Sequence, residues 1–252
     1  MDDRRLIARW ARLFAAPTEG WDFSEFDEKV ADSEPPWSYD DLARAALGSA
    51  ESLVDLGTGG GEFLLSLAGH LPADTHATEG WAPNLPVARE VLAHLGIEVS
   101  AYDAEAGDAM PYPDGRFDLI LDRHESWSPA EVVRTLRPGG RVITQQVDGR
   151  NMEDLRAVFN DSSHHPEVTL AHFRAEAEAA GLVVERAAEW FGPIRFADVD
   201  TLVSFLRWMP WELPDDFTVE RYAGPLLELH RAGQPPVFTE GRFLLVCNTP
   251  VG

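Results

Sequence analysis

Residues 53–70, LVDLGTGGGEFLLSLAGH, combine a carboxylate with a run of glycines. Asp55 lies in a short apolar run, glycines follow at positions 57, 59, 60 and 61, and an apolar helical pattern starts at Phe63. A glycine loop between a strand and a helix lets the backbone approach a bound ligand closely. The segment therefore predicts a ligand cradle, and the glycine spacing limits which ligand it holds.

The glycine spacing argues against two common phosphate sites. A dinucleotide fingerprint needs G-x-G-x-x-G/A, whereas the last position here falls on Glu62. The G-K-[ST] of a phosphate-binding P-loop is absent. What remains is G-x-G-x-G, formed by Gly57, Gly59 and Gly61, with Asp55 two residues before the first glycine. A nearby carboxylate suits a ligand that carries an ammonium group better than it suits a pyrophosphate.

The elements that position this loop alternate between strand and helix from Ser52 onwards. The strand patterns are LVDL (53–56), HATE (76–79), IEVSAYD (97–103), FDLILD (117–122), RVITQQV (141–147), LVVERAAEW (182–190) and FLLVCNTP (243–250). The helical patterns are EFLLSLAGH (62–70), NLPVAREVLAHLG (84–96), SPAEVVRTLRPGG (128–140) and VTLAHFRAEAEAAG (168–181). This alternation predicts a parallel sheet with helices on both faces.

Two further regions flank this core. Apolar residues at helical spacing predict a helix over residues 4–15, and a second helix, YDDLARAAL, follows Ser38, which with Asp41 resembles a capping box. We interpret residues 1–48 as an N-terminal helical cap or lid, and 49–190 with 240–252 as the core. Residues 191–239 form a helical insertion before the last strand, and we expect it to cover the substrate.

Further polar residues follow the predicted strands in a recognisable order. Glu79 ends the second strand, and Asp103-Ala104 follows the third. MPYPDGRFDLIL (110–121) leads into the fourth strand, and LRPGGRVIT (136–144) leads into the fifth. With the glycine loop, these five motifs resemble those of class I S-adenosylmethionine-dependent methyltransferases. The resemblance implies a Rossmann-like, doubly wound, mostly parallel α/β sheet of seven strands and S-adenosyl-L-methionine as the cofactor.

The resemblance also implies which residues bind that cofactor. The glycine loop would hold its amino acid part, Glu79 the two ribose hydroxyls, and Asp103 with the amide of Ala104 the adenine. Asp108-Ala109 competes for the adenine role because the stretch after the third strand is unusually long. The full cofactor set is Trp37, Tyr39, Asp55, Gly57, Thr58, Gly59, Gly61, Glu79, Gly80, Trp81, Asp103, Ala104 and Arg123.

His124 is the candidate catalytic residue. It lies just past the carboxyl end of the fourth strand, where open α/β sheets bind ligands, and imidazole titrates in a range that suits proton abstraction. Methyl transfer needs alignment of acceptor, methyl and sulfur, and needs a base only if the acceptor has a proton to lose. A histidine that only packs at the edge of the cofactor is the alternative, and both interpretations stay open.

Three residues are candidates for contact with the acceptor. Gln145 and Gln146 end the fifth strand, and we expect one to orient the acceptor and the other to satisfy loop backbone. Trp208 lies in the late insertion, where it would stack on a planar substrate or pack against the core. No metal is expected, because the adjacent His124 and Glu125 diverge and no ligand spacing supports a site.

Composition restricts the partners. The 252 residues carry a formal net charge of −22, which disfavours nucleic acid and anionic membranes. The sequence shows no signal-peptide pattern and no apolar run long enough to cross a bilayer, so we expect a cytoplasmic protein, a monomer or homodimer. The expected activity is methyl transfer to a small-molecule acceptor, in secondary or cofactor metabolism. The alternatives are non-methylating chemistry with the same cofactor, a non-enzymatic binding module, and a nicotinamide oxidoreductase.

Overall fold

The computed structural model describes residues 2–17 and 24–251, so part of the predicted N-terminal cap lies outside the described residues. The helices are α1 (Asp3–Phe14), α2 (Tyr39–Leu47), α3 (Glu62–Ser66), α4 (Asn84–Ala93), α5 (Pro129–Thr135), α6 (Glu153–Val158), α7 (Leu170–Ala179), α8 (Val199–Leu206) and α9 (Ala223–Ala232). The strands are β1 (Val30–Ala31), β2 (Ser52–Leu56), β3 (Asp74–Glu79), β4 (Glu98–Ala101), β5 (Phe117–Arg123), β6 (Leu136–Val147), β7 (Val183–Phe196) and β8 (Val237–Asn248).

The chain divides into two units, each built from three stretches. The sheet unit contains Trp37–Asp148, Val168–Glu189 and Arg242–Gly252. The helical unit contains Met1–Pro36, Gly149–Glu167 and Trp190–Gly241. Strands β7 and β8 contribute residues to both units.

The sheet unit carries the predicted mixed α/β architecture. Its strands follow the order β7-β8-β6-β5-β2-β3-β4. The pairs β2–β3, β2–β5, β3–β4 and β5–β6 are parallel, and β8 runs antiparallel to β6. This is the Rossmann-like, mostly parallel sheet that the resemblance implies, and it agrees with the parallel sheet that the alternating pattern predicts. The carboxyl ends of β2, β3 and β5 therefore meet at one edge, which is where such sheets bind ligands.

Apolar side chains of the strands and helices form the core of the sheet unit. Residues from β2, β5, β6 and β8 pack with α5 and α7 in one buried cluster that includes Val54, Phe117, Ile120, Val132 and Phe243. The only cysteine in the sequence, Cys247, is buried in this cluster, as its apolar surroundings predict. Strands that are buried on both faces read as continuous apolar runs, and LIL (119–121) and FLLVC (243–247) are such runs.

The helical unit has a core of its own. Side chains from α1, α6, α8 and α9 form a buried cluster that includes Leu6, Trp10, Leu155, Leu202 and Leu226. The indole nitrogen of Trp10 donates to Asp200 at 2.7 Å, which satisfies the one polar atom of that buried ring. Within this unit, β1 pairs antiparallel with the last two residues of β7.

The boundaries of several elements differ from the predicted ones. The predicted helix over 62–70 is shorter in the structure, because α3 ends at Ser66 and residues 67–70 form turns before Pro72. Glycine at position 69 disfavours continuation of the helix. Strand β7 continues to Phe196, and β8 begins at Val237, six residues before the predicted start. In the part of the chain that the structure describes, no helix is both long and apolar enough to cross a membrane.

Candidate active site

The glycine loop follows β2 and has the backbone conformation that its glycines permit. Gly57, Gly59 and Gly61 have φ values of 59°, 64° and 92°, a region that side chains with a Cβ disfavour. The amide of Thr58 donates to the carbonyl of Thr78 in β3 at 2.8 Å. The loop is thus fixed to the neighbouring strand, with its glycines at the carboxyl edge of the sheet.

The three glycines of the loop meet different surroundings. A Cβ on Gly57 would lie 2.3 Å from Oε2 of Glu125, and a Cβ on Gly61 would lie 2.8 Å from Cγ of Leu92. A Cβ on Gly59 would meet no atom nearer than an oxygen of Glu62 at 4.0 Å. Gly57 and Gly61 therefore allow close packing, whereas Gly59 borders the open space of a cradle.

Asp55 lies buried in β2, two residues before the loop. Burial raises the pKa of this carboxyl to about 7. The side chain of Thr58 is also buried, and its interaction with Asp55 partly offsets this rise. A buried carboxyl next to an open glycine loop fits a polar, ammonium-bearing ligand.

Glu79 links the end of β3 to the glycine loop. One carboxylate oxygen accepts from the amide of Gly59 at 2.7 Å, and the other accepts from the amide of Trp81 at 2.7 Å. Each oxygen retains capacity for a further hydrogen bond, so the carboxylate can also accept from two hydroxyl groups. Burial raises the pKa of Glu79, and the side chain of Trp81 is exposed.

The ends of β3 and β4 approach each other closely at Gly80. A Cβ at this position would lie 2.8 Å from the carbonyl oxygen of Tyr102, so glycine is required for the approach. This contact brings the residues after Glu79 next to Asp103. The acids predicted to hold ribose and adenine therefore lie on adjacent strand ends.

The two candidates for the adenine role, Asp103 and Asp108, belong to one turn. The carboxylate of Asp103 accepts from the amides of Glu105 at 2.9 Å and Ala106 at 3.1 Å. The carboxylate of Asp108 accepts from the amide of Asp103 at 3.3 Å. Ala104 is half-buried inside this turn. The assignment of the adenine contact to Asp103 stays a prediction.

Trp37, Gln145 and His124 form a hydrogen-bonded series in the sheet unit. The indole nitrogen of Trp37 donates to Oε1 of Gln145 at 2.8 Å, and Nε2 of Gln145 lies 3.2 Å from Nε2 of His124. The amide of His124 donates to the carbonyl of Gln145 at 2.8 Å. The structure thus joins three predicted site residues that are far apart in the sequence.

His124 has an unusual backbone and a perturbed side chain. Its φ of 63° is rare for a residue with a Cβ and marks a locally constrained position. His124 is an exposed residue as a whole, but burial of the imidazole removes much of its hydration, and Arg242 and Arg123 add positive charge. Together they lower the pKa of His124 to about 3, so the imidazole is neutral at pH 7.

The side-chain amide of Gln146 forms its hydrogen bonds inside the protein. Its Nε2 lies 3.1 and 3.2 Å from the two carboxylate oxygens of Asp122 and donates to the carbonyl of Glu125 at 2.8 Å. Asp122 is fully buried, and burial together with the charge of Glu125 raises the pKa of Asp122 well above its usual value. Of the two glutamines, Gln146 therefore satisfies loop backbone, whereas the side chain of Gln145 contacts His124.

Tyr39 joins the two central strands. Its hydroxyl donates to the carbonyl of Ile143 at 3.3 Å and accepts from the amide of Asp122 at 3.0 Å. The side chain is buried, and burial raises the pKa of Tyr39 well above its usual value. The guanidinium of Arg123 lies 5.7 Å from the ring centre of Tyr39 and 5.6 Å from that of Phe63. The cofactor roles of Tyr39 and Arg123 stay predictions.

Glu125 is a site residue that the sequence interpretation missed. Its side chain packs against Gly57, and its Oε1 accepts from the amide and hydroxyl of Ser126, both at 3.0 Å. Burial raises the pKa of Glu125, and the charges of Glu79 and Asp103 raise it further. The acid directly after the fourth strand was the available signal. The described residues contain no cluster of three or more His, Cys, Asp or Glu side chains suited to a metal.

Trp208 belongs to the helical unit. It is buried there, and its indole nitrogen donates to Glu25 at 3.3 Å. The guanidinium of Arg207 lies 5.8 Å from its ring centre. These contacts account for its burial, and the predicted contact with substrate stays a prediction.

Comparison with known families gives one match to the glycine-loop region. Residues 53–140 match the model of a family described as a methyltransferase domain. This stretch begins in β2 and ends within β6, and it includes the glycine loop, Glu79, Asp103 and His124.

Individual relatives are distant in sequence but similar in fold. An uncharacterized methyltransferase, YcgJ of Bacillus subtilis (strain 168), is 24% identical over 157 residues, which cover 57% of this chain and 62% of YcgJ, less than two thirds of its length. The crystal structure of YcgJ superposes with a TM-score of 0.60 at 20% identity, covering 84% of this chain and 98% of that chain.

Two other solved structures have the same fold. A protein of Bacillus halodurans C-125, provisionally described as a methyltransferase, gives a TM-score of 0.59 at 20% identity and covers 85% of this chain and all of that one. The [4+2]-cyclase SpnF gives a TM-score of 0.52 at 16% identity and covers 99% of this chain and 93% of that chain. The fold is thus shared by proteins with different reactions.

Proposed function

We propose that this chain, whose residues 53–140 match the model of a methyltransferase domain, is a class I S-adenosylmethionine-dependent methyltransferase that transfers a methyl group to a small-molecule acceptor. The observation that carries the proposal is the bond between the Gly59 amide and the Glu79 carboxylate at 2.7 Å. This bond joins the open glycine loop to the acid expected to accept ribose hydroxyls. Two predicted contact points for one ligand therefore lie side by side.

The residues present fit the proposed cofactor. Gly59 borders open space, Asp55 lies buried just before the loop, and carboxylates lie at the ends of adjacent strands. We assign the amino acid part to the loop, the ribose to Glu79, and the adenine to Asp103 with the amide of Ala104. When bound, S-adenosyl-L-methionine supplies an electrophilic methyl group on a sulfonium.

The protein's part in such a reaction is to align the acceptor and exclude water. Bound S-adenosyl-L-methionine would supply the methyl group to a lone pair of the acceptor and would leave as a neutral thioether that keeps the electrons of the carbon–sulfur bond. The neutral His124 lies just past the end of β5, next to Glu125, which packs against Gly57, and its partner Gln145 lies in the neighbouring strand β6. This places them at the edge of the sheet where the cofactor loop lies.

A small molecule is the proposed acceptor because of charge. The formal net charge of −22 opposes the approach of a phosphate backbone, whose binding depends on Lys and Arg. Secondary or cofactor metabolism is the proposed setting. The resemblance in fold to SpnF, an enzyme described as a [4+2]-cyclase, supports non-methylating chemistry as the second candidate.

Calorimetry with S-adenosyl-L-methionine on the wild type and on Gly59→Trp tests the cofactor site. The wild type is expected to bind, and the indole of the variant is expected to fill the cradle and abolish binding. Gly96→Trp is the matched control, because Gly96 has a φ of 72° and a Cβ there meets nothing within 4 Å. Both variants carry similar backbone strain, so equal binding by wild type and Gly59→Trp would contradict the assigned loop.

Product analysis then separates the two candidate reactions. Incubation with methyl-labelled S-adenosyl-L-methionine and a panel of phenols, carboxylic acids and amines is expected to yield S-adenosyl-L-homocysteine and a labelled product. A transformed acceptor without S-adenosyl-L-homocysteine would contradict methyl transfer and favour the non-methylating candidate.

A further inference from the structure

The side-chain amide of Gln145 has a fixed orientation. The indole nitrogen of Trp37 lies 2.8 Å from Oε1 of Gln145, and an indole N–H can only donate a hydrogen bond. The atom that faces Trp37 must therefore be the amide oxygen. The amide nitrogen consequently faces His124, with 3.2 Å between the two Nε2 atoms.

The orientation of Gln145 fixes the tautomer of His124. The amide nitrogen of Gln145 is a donor, so Nε2 of His124 must present its lone pair. A neutral imidazole with an unprotonated Nε2 carries its proton on Nδ1. The low pKa of His124 agrees with a ring that stays neutral. A second bond, from the His124 amide to the Gln145 carbonyl at 2.8 Å, holds the two residues together.

The Nδ1–H group of His124 is available to a ligand. Among residues 2–17 and 24–251, no side chain or carbonyl accepts from Nδ1, and His124 as a whole residue is exposed to solvent. His124 also has the constrained φ of 63°, and the next residue packs against Gly57 of the glycine loop. An exposed donor held in a constrained conformation next to the ligand cradle can select what binds there.

We propose, on the basis of the function proposed above, that Trp37 and Gln145 are positioning residues that hold His124 as an Nδ1–H donor to the methyl acceptor. His124 then recognises a hydrogen-bond-accepting oxygen or nitrogen of that molecule and does not serve as a general base. Protonation of Nε2 would set an N–H against the NH₂ group of Gln145 and break their hydrogen bond. The acceptor therefore has a nucleophilic atom whose lone pair is available at neutral pH without proton transfer to His124.

Nitrogen NMR of the full chain labelled with ¹⁵N-histidine tests the tautomer without any ligand. His124→Asn identifies the His124 signals by their loss, and asparagine tolerates a positive φ. The wild type is expected to show a protonated Nδ1 and an unprotonated Nε2. A wild-type ring protonated on Nε2 would overturn the proposal, whether or not the protein transfers methyl groups.

Two substitutions test the positioning role. Trp37→Phe removes the donor that orients Gln145, so His124 is expected to become a mixture of tautomers. Trp127→Phe is the matched control, because the indole nitrogen of Trp127 is buried without a hydrogen-bond partner, and it is expected to leave the tautomer unchanged. Gln145→Glu replaces the donor with an acceptor and is expected to move the proton to Nε2. A His124 spectrum that is identical in wild type, Trp37→Phe and Gln145→Glu would refute the positioning role.

Turnover of an acceptor found in the labelled-methyl assay tests the role of His124. Asparagine supplies an N–H donor but no base, so His124→Asn is expected to keep kcat within roughly tenfold of wild type, as for one hydrogen bond. Loss of a general base costs roughly 10²–10⁴-fold. A loss of that size in both His124→Asn and His124→Ala would overturn the donor role. The cofactor-binding assay tests the proposed function separately, so this result would not contradict the cofactor site.

Discussion

At the scale of the residue, burial raises the pKa of the acids near the glycine loop. Asp55, Glu79, Asp122 and Glu125 all have raised pKa values, and desolvation is the largest cause in each case. A carboxyl held in a low-dielectric environment binds its proton more tightly than in the unfolded chain. These acids therefore lower the stability of the cofactor-free protein as pH rises.

Asp55 allows a quantitative prediction. The pKa of Asp55 is about 7 in the folded protein against a reference of 3.8. Its contribution to the free energy of unfolding is therefore fully present below about pH 4 and is lost as pH rises through about 7. The three-unit difference corresponds to about 4 kcal/mol. In Asp55→Asn, the fall in the free energy of unfolding from about pH 4 to about pH 8 should be smaller by about this amount.

Urea denaturation of the cofactor-free protein at a series of pH values checks the Asp55 prediction. Asp27→Asn, at an exposed position, controls for the loss of one negative charge. If wild type and Asp55→Asn lose the same stability over this pH range, Asp55 is already ionised in the folded protein at low pH.

At the scale of the element, the short helix α2 positions two aromatic residues of the candidate site. Ser38 caps it by accepting from the amide of Asp41 at 3.0 Å, as the sequence predicts. Trp37 lies just before the cap, and Tyr39 is the first helical residue, so the start of this helix positions both aromatic side chains. A local capping signal thus controls contacts to strands that follow much later in the chain.

Loss of the cap is expected to destabilise the protein. Ser38→Ala should lower the free energy of unfolding by about 1 kcal/mol, because one amide of the first turn loses its partner. Ser128→Ala is the matched control: Ser128 occupies the same position at α5, but its side chain makes no capping hydrogen bond. Chemical denaturation should show a shift for Ser38→Ala alone, and equal shifts for both variants would argue against a stabilising cap.

At the scale of the whole molecule, negative charge dominates. The 43 acidic residues outnumber the 21 basic ones, which gives the formal net charge of −22. Each of the two units has its own buried apolar cluster. Repulsion among like charges opposes the compact state, and dissolved salt screens it. The folded protein is therefore held by apolar burial against an unfavourable electrostatic field.

Salt is expected to stabilise the protein. Raising sodium chloride from about 0.05 to about 0.5 M shortens the screening length and should raise the thermal midpoint. Differential scanning calorimetry at constant pH measures the change, and potassium chloride at the same ionic strength should give the same increase. A midpoint that falls with salt would show that attractive ion pairs outweigh the net repulsion.

Some of the site could be predicted from local sequence. The glycine spacing indicated the loop, and the acid at the end of a strand indicated Glu79, because both signals depend only on neighbouring residues. The contact of Glu125 with Gly57 and the bond between Trp37 and Gln145 could not be predicted, since they join residues 68 and 108 positions apart. The turn that contains Asp103 and Asp108 could not be predicted from the sequence either, because its hydrogen bonds depend on backbone geometry.

The division into two units has a practical consequence for protein engineering. Each unit is assembled from three separate stretches of chain, and β7 and β8 each supply residues to both. No single cut releases either unit intact, and deleting the stretch 190–241 alone would remove one part of a shared apolar cluster while leaving its other parts exposed. Exchanging the helical unit for that of another protein would have to replace all three stretches together.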